Sequence, residues 1–169
     1  MNTLIVGISD CEVSGDPGET LLTYALGSCI AVAVHDPVAR IAGLLHFMLP
    51  GAAIDRVKAA QNPFMFADTG IPRLLNDTIE RGANRRRLIA RIVGGARILN
   101  GPELFQIGRH NYLAARKLLR KEGLFLAAEA VGGEVSRTVR IDVPTGKTWI
   151  REAGIERLML DTVRKEFRK

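Results

Sequence analysis

The chain has 169 residues, with 24 Lys+Arg against 18 Asp+Glu and a formal net charge of +6. At roughly 150 residues per domain, this length predicts one domain over 1–169, large enough to bury a core without metals or disulfides. A composition of 47% hydrophobic and 25% charged residues excludes a disordered chain, and two cysteines exclude a disulfide framework. The cysteines read as reduced thiols. The charge is unevenly spread. Residues 1–80 hold 4 Lys+Arg and 9 Asp+Glu, a sum of −5, whereas residues 81–169 hold 20 and 9, a sum of +11. Met1 to Ile8 carries no basic segment and too short an apolar run for a signal peptide. The longest uncharged stretch, Thr20 to Val34, is broken by Gly27 and Ser28 and is shorter than the roughly 20 apolar residues of a spanning helix. The expectation is a cytoplasmic protein.

Thr3 to Ile8 reads as a strand, and Ser14 to Gly18 as a loop. Thr20 to Leu26 predicts a second strand, and Gly27-Ser28 then punctuates the chain. Cys29 to Val34 and Ile41 to Leu49 are apolar runs about a turn at His35 to Arg40, the pattern of a β-hairpin. Gly51 to Asp68 has mixed character. Ile71, Leu74, Leu75 and Ile79 follow helical spacing, with Asp68 or Thr69 as cap, Pro72 in the first turn and Gly82 at the end. Leu88 to Val93 predicts a strand, Asn111 to Glu122 a helix stopped by Gly123, and Leu124 to Ala130 a strand. Val135, Arg137, Val139, Ile141 and Val143 alternate onto one face that carries a single charge. Pro144 to Lys147 turns the chain into Thr148-Trp149-Ile150. Ile155, Leu158, Met159, Thr162, Val163 and Phe167 make a helical stripe, so 151–169 is expected to be a C-terminal helical tail. Seven or eight strands and three helices, with strands clustered at both ends, predict an α+β layered domain rather than a βαβ wind.

The hairpin brings chemistry together. If His35 pairs with Arg40, Cys29 lies directly opposite His46, with Cβ atoms about 4.5–5.5 Å apart on one face. A one-residue slip would separate them. A free thiol is only about 3% thiolate at pH 7, and a neighbouring imidazole raises that fraction by taking the proton. The imidazole needs a third group to fix its tautomer, and Thr23 on the preceding strand supplies an oxygen. The turn Gly27-Ser28-Cys29 offers a backbone N–H to an oxyanion. Cysteine is also among the most buried residue types, so spacing alone leaves a structural role for Cys29 and His46 open.

The residues around this pair resemble a known family. Thr23-Tyr24-Ala25-Leu26-Gly27-Ser28-Cys29, then Gly43-Leu44-Leu45-His46-Phe47-Met48-Leu49-Pro50, are similar to the Thr-x-x-Leu-Gly-Ser-Cys and His-x-Met-Leu-Pro stretches of the chemoreceptor glutamine deamidases, CheD. Ala90 to Ala96, Ala128 to Gly133 and Val143 to Lys147 resemble further family segments. Phe66 stands where the family often has Tyr, and Arg109-His110-Asn111 alters the order of its Ile-Gly-x-Arg-Asn stretch. The resemblance spans about residues 3–151. It implies an α+β sandwich of packed β-sheets flanked by helices, like that of glutamine-deamidating toxins. It also implies a catalytic Cys29, His46 and Thr23, with neither metal nor nucleotide cofactor. Receptor glutamine would become glutamate through a thioester, with methyl-ester hydrolysis as a second activity. The implied partners are chemoreceptor cytoplasmic domains and a CheC-type phosphatase. The alternative is a non-catalytic module of the same fold that regulates such a phosphatase by docking.

Other features have plainer readings. Cys11 reads as structural, His35 as a solvated turn residue, and His110 as a surface or capping residue. Gly94-Gly95 lacks the Lys-Ser/Thr of a P-loop. Arg81, Arg85, Arg86, Arg87 and Arg91 are the best nucleic-acid candidate, but no aromatic residues interleave them for stacking. The basic half is instead expected to steer acidic helical receptor bundles or an acidic partner, with Arg85, Arg86 and Arg87 as the residues to test.

Overall fold

The computed structural model describes residues 1–97 and 102–161. Ten strands and three α-helices form among them, in two five-stranded sheets. Sheet A contains β1 (Asn2–Ile5), β3 (Glu19–Leu26), β8 (Arg137–Asp142), β9 (Thr148–Glu152) and β10 (Ile155–Leu158), in that order. Sheet B runs β2 (Asp10–Ser14), β5 (Ile41–Phe47), β4 (Ile30–Asp36), β6 (Ile89–Gly94) and β7 (Phe125–Val131). Helices α1 (Arg56–Gln61), α2 (Ala67–Glu80) and α3 (Pro102–Lys121) complete the fold.

Strands β4 and β5 are buried at every position, because sheet B is covered on both faces. Ile30, Val32 and Val34 join Leu45, Phe47, Ile71, Leu74 and Leu75 in the layer beneath the helices. The alternate residues Ala31 and Ala33 join Ala42, Leu44, Leu21, Val139, Ile141 and Ile150 between the sheets. Each large apolar side chain in these layers contributes about 1.5–3 kcal/mol by leaving water. Gly43 lets α2 lie close on β5, since a Cβ there would sit 2.7 Å from Leu74 Cδ1. The one charge on the inward face of β8 is paired in place: Arg137 donates to Gly132 O at 2.7 Å and to Glu152 at 3.0 Å. The α+β sandwich expectation holds, with helices on one face of sheet B.

Several local expectations are corrected. Helix α2 begins at Ala67, so Pro72 lies inside it rather than in its first turn, forgoing one main-chain bond. Neither expected cap acts as one. Phe66 is the N-cap, Asp68 Oδ1 accepts from Ala52 N–H, and Thr69 donates to Pro63 O. Helix α3 begins at Pro102, nine residues before the expected start. Gly108 lies within it because a Cβ would meet Gly95 O at 2.7 Å, a close helix-to-loop contact that glycine alone permits. His35 is a buried strand residue, 3% exposed, not a turn residue. The helical stripe expected from Ile155 is a strand instead. Ala153 and Gly154 both take positive φ (48° and 78°), a two-residue hairpin turn that reverses the chain and pairs β10 with β9. The remaining stripe residues Thr162, Val163 and Phe167 lie outside the described residues. No helix among the described residues is long and apolar enough to cross a membrane.

Candidate active site

Thr23 and His46 come from different sheets and meet between them. Both are fully buried. Thr23 Oγ1 lies 2.7 Å from Val6 O and 2.8 Å from His46 Nδ1. A carbonyl oxygen can only accept, so the single hydroxyl hydrogen goes to Val6 O. The hydroxyl oxygen then accepts from His46 Nδ1–H. This chain of two hydrogen bonds places the imidazole proton on Nδ1 and leaves a lone pair on Nε2. Nε2 is buried and has no hydrogen-bond partner among the described residues.

Cys29 precedes β4 and is partly buried. Its side chain packs in the layer between the sheets, with Ala31 and Ala33. His46 occupies the same layer, because Ala42 and Leu44 of β5 face it and His46 follows at the same parity. The expected direct opposition of Cys29 and His46 is corrected by two residues: His46 pairs with Ala31, and Asp36 pairs with Ile41. The cause is Asp36, which ends β4 and closes the turn. Its Oδ1 accepts from Val38 and Ala39 N–H, and its carbonyl accepts from Arg40 N–H. A two-residue shift preserves the face. Cys29 therefore becomes the diagonal neighbour of His46, a separation of about 7–8 Å between backbones.

The main chain around Cys29 is tightly determined. Strand β3 carries one extra residue between Thr23 and Leu26, with Ala25 at φ 56°. The chain then leaves sheet A through Gly27-Ser28 and enters sheet B. Cys29 O accepts from Gly95 N–H at 2.8 Å, and Gly27 O accepts from Ala96 N–H at 2.7 Å. Gly94 is at φ 117°, and a Cβ there would be 2.3 Å from Cys29 O. The Gly94-Gly95 pair thus serves close backbone approach. Burial pushes the His46 imidazole down to about 4, so it is neutral at pH 7. Burial pushes the Cys29 thiol up, partly offset by its own backbone N–H. Thiol and imidazole therefore both rest uncharged at neutral pH.

Asn111 of α3 was not singled out by sequence reasoning as a site residue. It is fully buried, and its Nδ2 donates to Ser28 O at 3.0 Å and to Met48 O at 2.7 Å. Its place in the Ile-Gly-x-Arg-Asn-like stretch was the available signal. Cys11 sits in β2 opposite Leu45, and burial pushes its thiol far up, consistent with a structural residue. His110 is exposed on α3. Among the described residues, no group of three or more His, Cys, Asp or Glu side chains has metal-binding geometry.

Comparison with known proteins gives consistent relatives. The family model for CheD, chemotactic sensory transduction, matches residues 48–152. A protein from Solibacter usitatus, named probable chemoreceptor glutamine deamidase CheD, is 53% identical over 154 residues, covering 91% of each chain. A protein of the same kind from Syntrophus aciditrophicus is 45% identical, covering 91% of this chain and 96% of its own. A third, from Syntrophotalea carbinolica, is 43% identical over 86% of this chain and 91% of its own.

Proposed function

The chain belongs to the CheD family, and from that premise we propose that it deamidates glutamine side chains of chemoreceptor cytoplasmic domains in chemotactic adaptation. The observation that carries the reading is the Val6–Thr23–His46 hydrogen-bond chain. It leaves the His46 Nε2 lone pair unengaged in the layer that holds Cys29.

In the proposed mechanism Cys29 is the nucleophile. His46 Nε2 takes the thiol proton as sulfur attacks the carboxamide carbon. A backbone N–H of the Gly27–Cys29 turn stabilises the oxyanion. Collapse breaks the C–N bond, and His46 returns its proton to the departing ammonia. Water then attacks the thioester with His46 as base, releasing glutamate and the Cys29 thiol. Thr23 holds the ring plane and tautomer throughout. Because Cys29 and His46 rest as neutral groups, proton transfer is coupled to attack rather than completed beforehand. The same acyl-enzyme supports hydrolysis of receptor glutamate methyl esters. The catalytic unit is taken as one domain over the whole chain, and a CheC-type phosphatase is a second proposed partner, to be tested by co-purification.

The test is ammonia release from receptor cytoplasmic fragments, with mass spectrometry locating each Gln-to-Glu conversion. Activity is expected from the native chain and absent from Cys29→Ala. Unchanged conversion by Cys29→Ala would overturn the nucleophile assignment. No conversion by the native chain would overturn the function.

A further inference from the structure

The two strands that place Cys29 and His46 on one face are not tied to each other by the ladder where the site lies. Cys29 precedes the first residue of β4, and Met48 follows the last residue of β5. The ladder between them ends at Ile30 and Phe47. Beyond that pair, the carbonyls of the half-buried Ser28 and Met48 have no partner in the β4–β5 ladder. Both are met by one side chain. Asn111 Nδ2 has two hydrogens, and it donates one to Ser28 O and one to Met48 O. Ser28 is the neighbour of the nucleophile, and Met48 is two residues from the base.

The amide orientation is unambiguous, because both partners are acceptors and only Nδ2 can donate. Asn111 Oδ1 is buried and has no hydrogen-bond partner among the described residues. Leaving a buried acceptor unpaired is costly. The residue therefore serves its two donor bonds and not the helix around it. Its helix is seated for this purpose one turn earlier, where Gly108 packs against Gly95, whose N–H binds Cys29 O.

We propose that Asn111 is a positioning residue for the deamidation reaction, clamping the Cys29 turn to the end of the His46 strand so that thiol and imidazole keep their diagonal placement on one face. This rests on the Cys29–His46 reading above. Asparagine suits the task because its two donors diverge from one planar group. Aspartate has the same shape but would set carboxylate oxygens against two carbonyls. Alanine would remove both donors and with them the link between the two carbonyls.

The test uses the full chain in a Cys11→Ala background, where Cys29 is the sole thiol. Asn111→Ala, Asn111→Asp and Gly108→Ala are compared for folding, for deamidation of receptor fragments, and for the pH profile of Cys29 alkylation by iodoacetamide. The expected result is a kcat lowered about tenfold or more with KM little changed. Asn111→Asp should suffer most, and the alkylation profile of folded variants should move to higher pH. Gly108→Ala should show the same change in milder form. Wild-type kcat and alkylation profile in the folded variants would overturn the proposal, as would a loss that only tracks the unfolded fraction. Failure of all three variants to fold would also overturn it, by making the contact purely structural. Alkylation needs no receptor, so a chain that fails to release ammonia but still shows the shift separates failure of the function from failure of the clamp.

Discussion

His35 and His46 lie on adjacent strands, both face sheet A, and both are almost wholly buried at 3% and 0% exposure. They differ in which nitrogen is engaged. His35 Nε2 donates to Val143 O at 3.0 Å, and its Nδ1 side is filled by Gly146, where a Cβ would come within 2.3 Å. Its end of the sandwich is closed by ion pairs. Arg91 binds Asp161 and Gly146 O, and Arg87 grips Asp36 with two bonds of 2.8 and 3.0 Å. Burial alone would raise the Asp36 carboxyl, but Arg87 and three main-chain N–H groups hold it well below the usual range. His46, at the other end, binds through Nδ1 and keeps Nε2 unengaged. A buried histidine thus becomes a base by what is left off it. The same residue type on the same sheet face becomes a wedge when both sides are filled.

The comparison can be broken most sharply at His46. His46→Gln and Cys29→Ala should each lower deamidation by about 10³-fold or more, measured as ammonia release. Thr23→Val keeps the shape but removes the hydroxyl, and should lower kcat by about 10²-fold with KM little changed. A value within twofold of the native kcat would remove Thr23 from the site. At the opposite end the effect should be on stability alone. Gly146 is at φ 68° and abuts His35. Gly146→Ala should therefore cost about 2 kcal/mol in denaturant unfolding while the folded fraction keeps its kcat.

The two histidines should also shape the pH dependence together. Both are held below their ordinary 6.5 chiefly by burial, His46 down to about 4. The unfolded chain therefore binds protons first as pH falls. Stability is fully present above 6.5 and is lost between 6.5 and about 4, with His46 contributing on the order of 3 kcal/mol across that window. Urea unfolding at several pH values measures this, and His46→Gln should flatten the slope. The smallest effect is expected from surface charge. Arg85 pairs with Glu122 and Arg87 with Asp36, about 23 Å along β4 from Cys29. Two of the three arginines expected to steer a receptor are thus held by partners, so the site end is the better place to test docking. Arg109 lines a recess with Gly95, Gly132 and Gly133 at the site end. Arg109→Ala should raise KM about two- to threefold at low salt, and Arg86→Ala should not.

Much of the sandwich was legible because its strands alternate or run continuously apolar, and because parity survives small register errors. Cys29 and His46 could be placed on one face without their distance being known. The register itself depended on how Asp36 folds its carboxylate over the turn, which hydrophobic pattern does not encode. Ile155, Leu158 and Met159 fit helical spacing as well as a short strand, and the Ala153–Gly154 turn decided between them. Asn111 escaped notice as a site residue because its two acceptors come from distant parts of the chain. His35 looked solvated because turn-like residues follow it, whereas tertiary packing buried it.

Thr23 belongs to one sheet and His46 to the other, so the proposed base is assembled only when the two halves of the sandwich are docked. Catalytic turnover then doubles as a gauge of that docking. Mild denaturant that lets the sheets part should silence the enzyme before the strands themselves melt, and inactivation should precede the loss of far-ultraviolet circular dichroism.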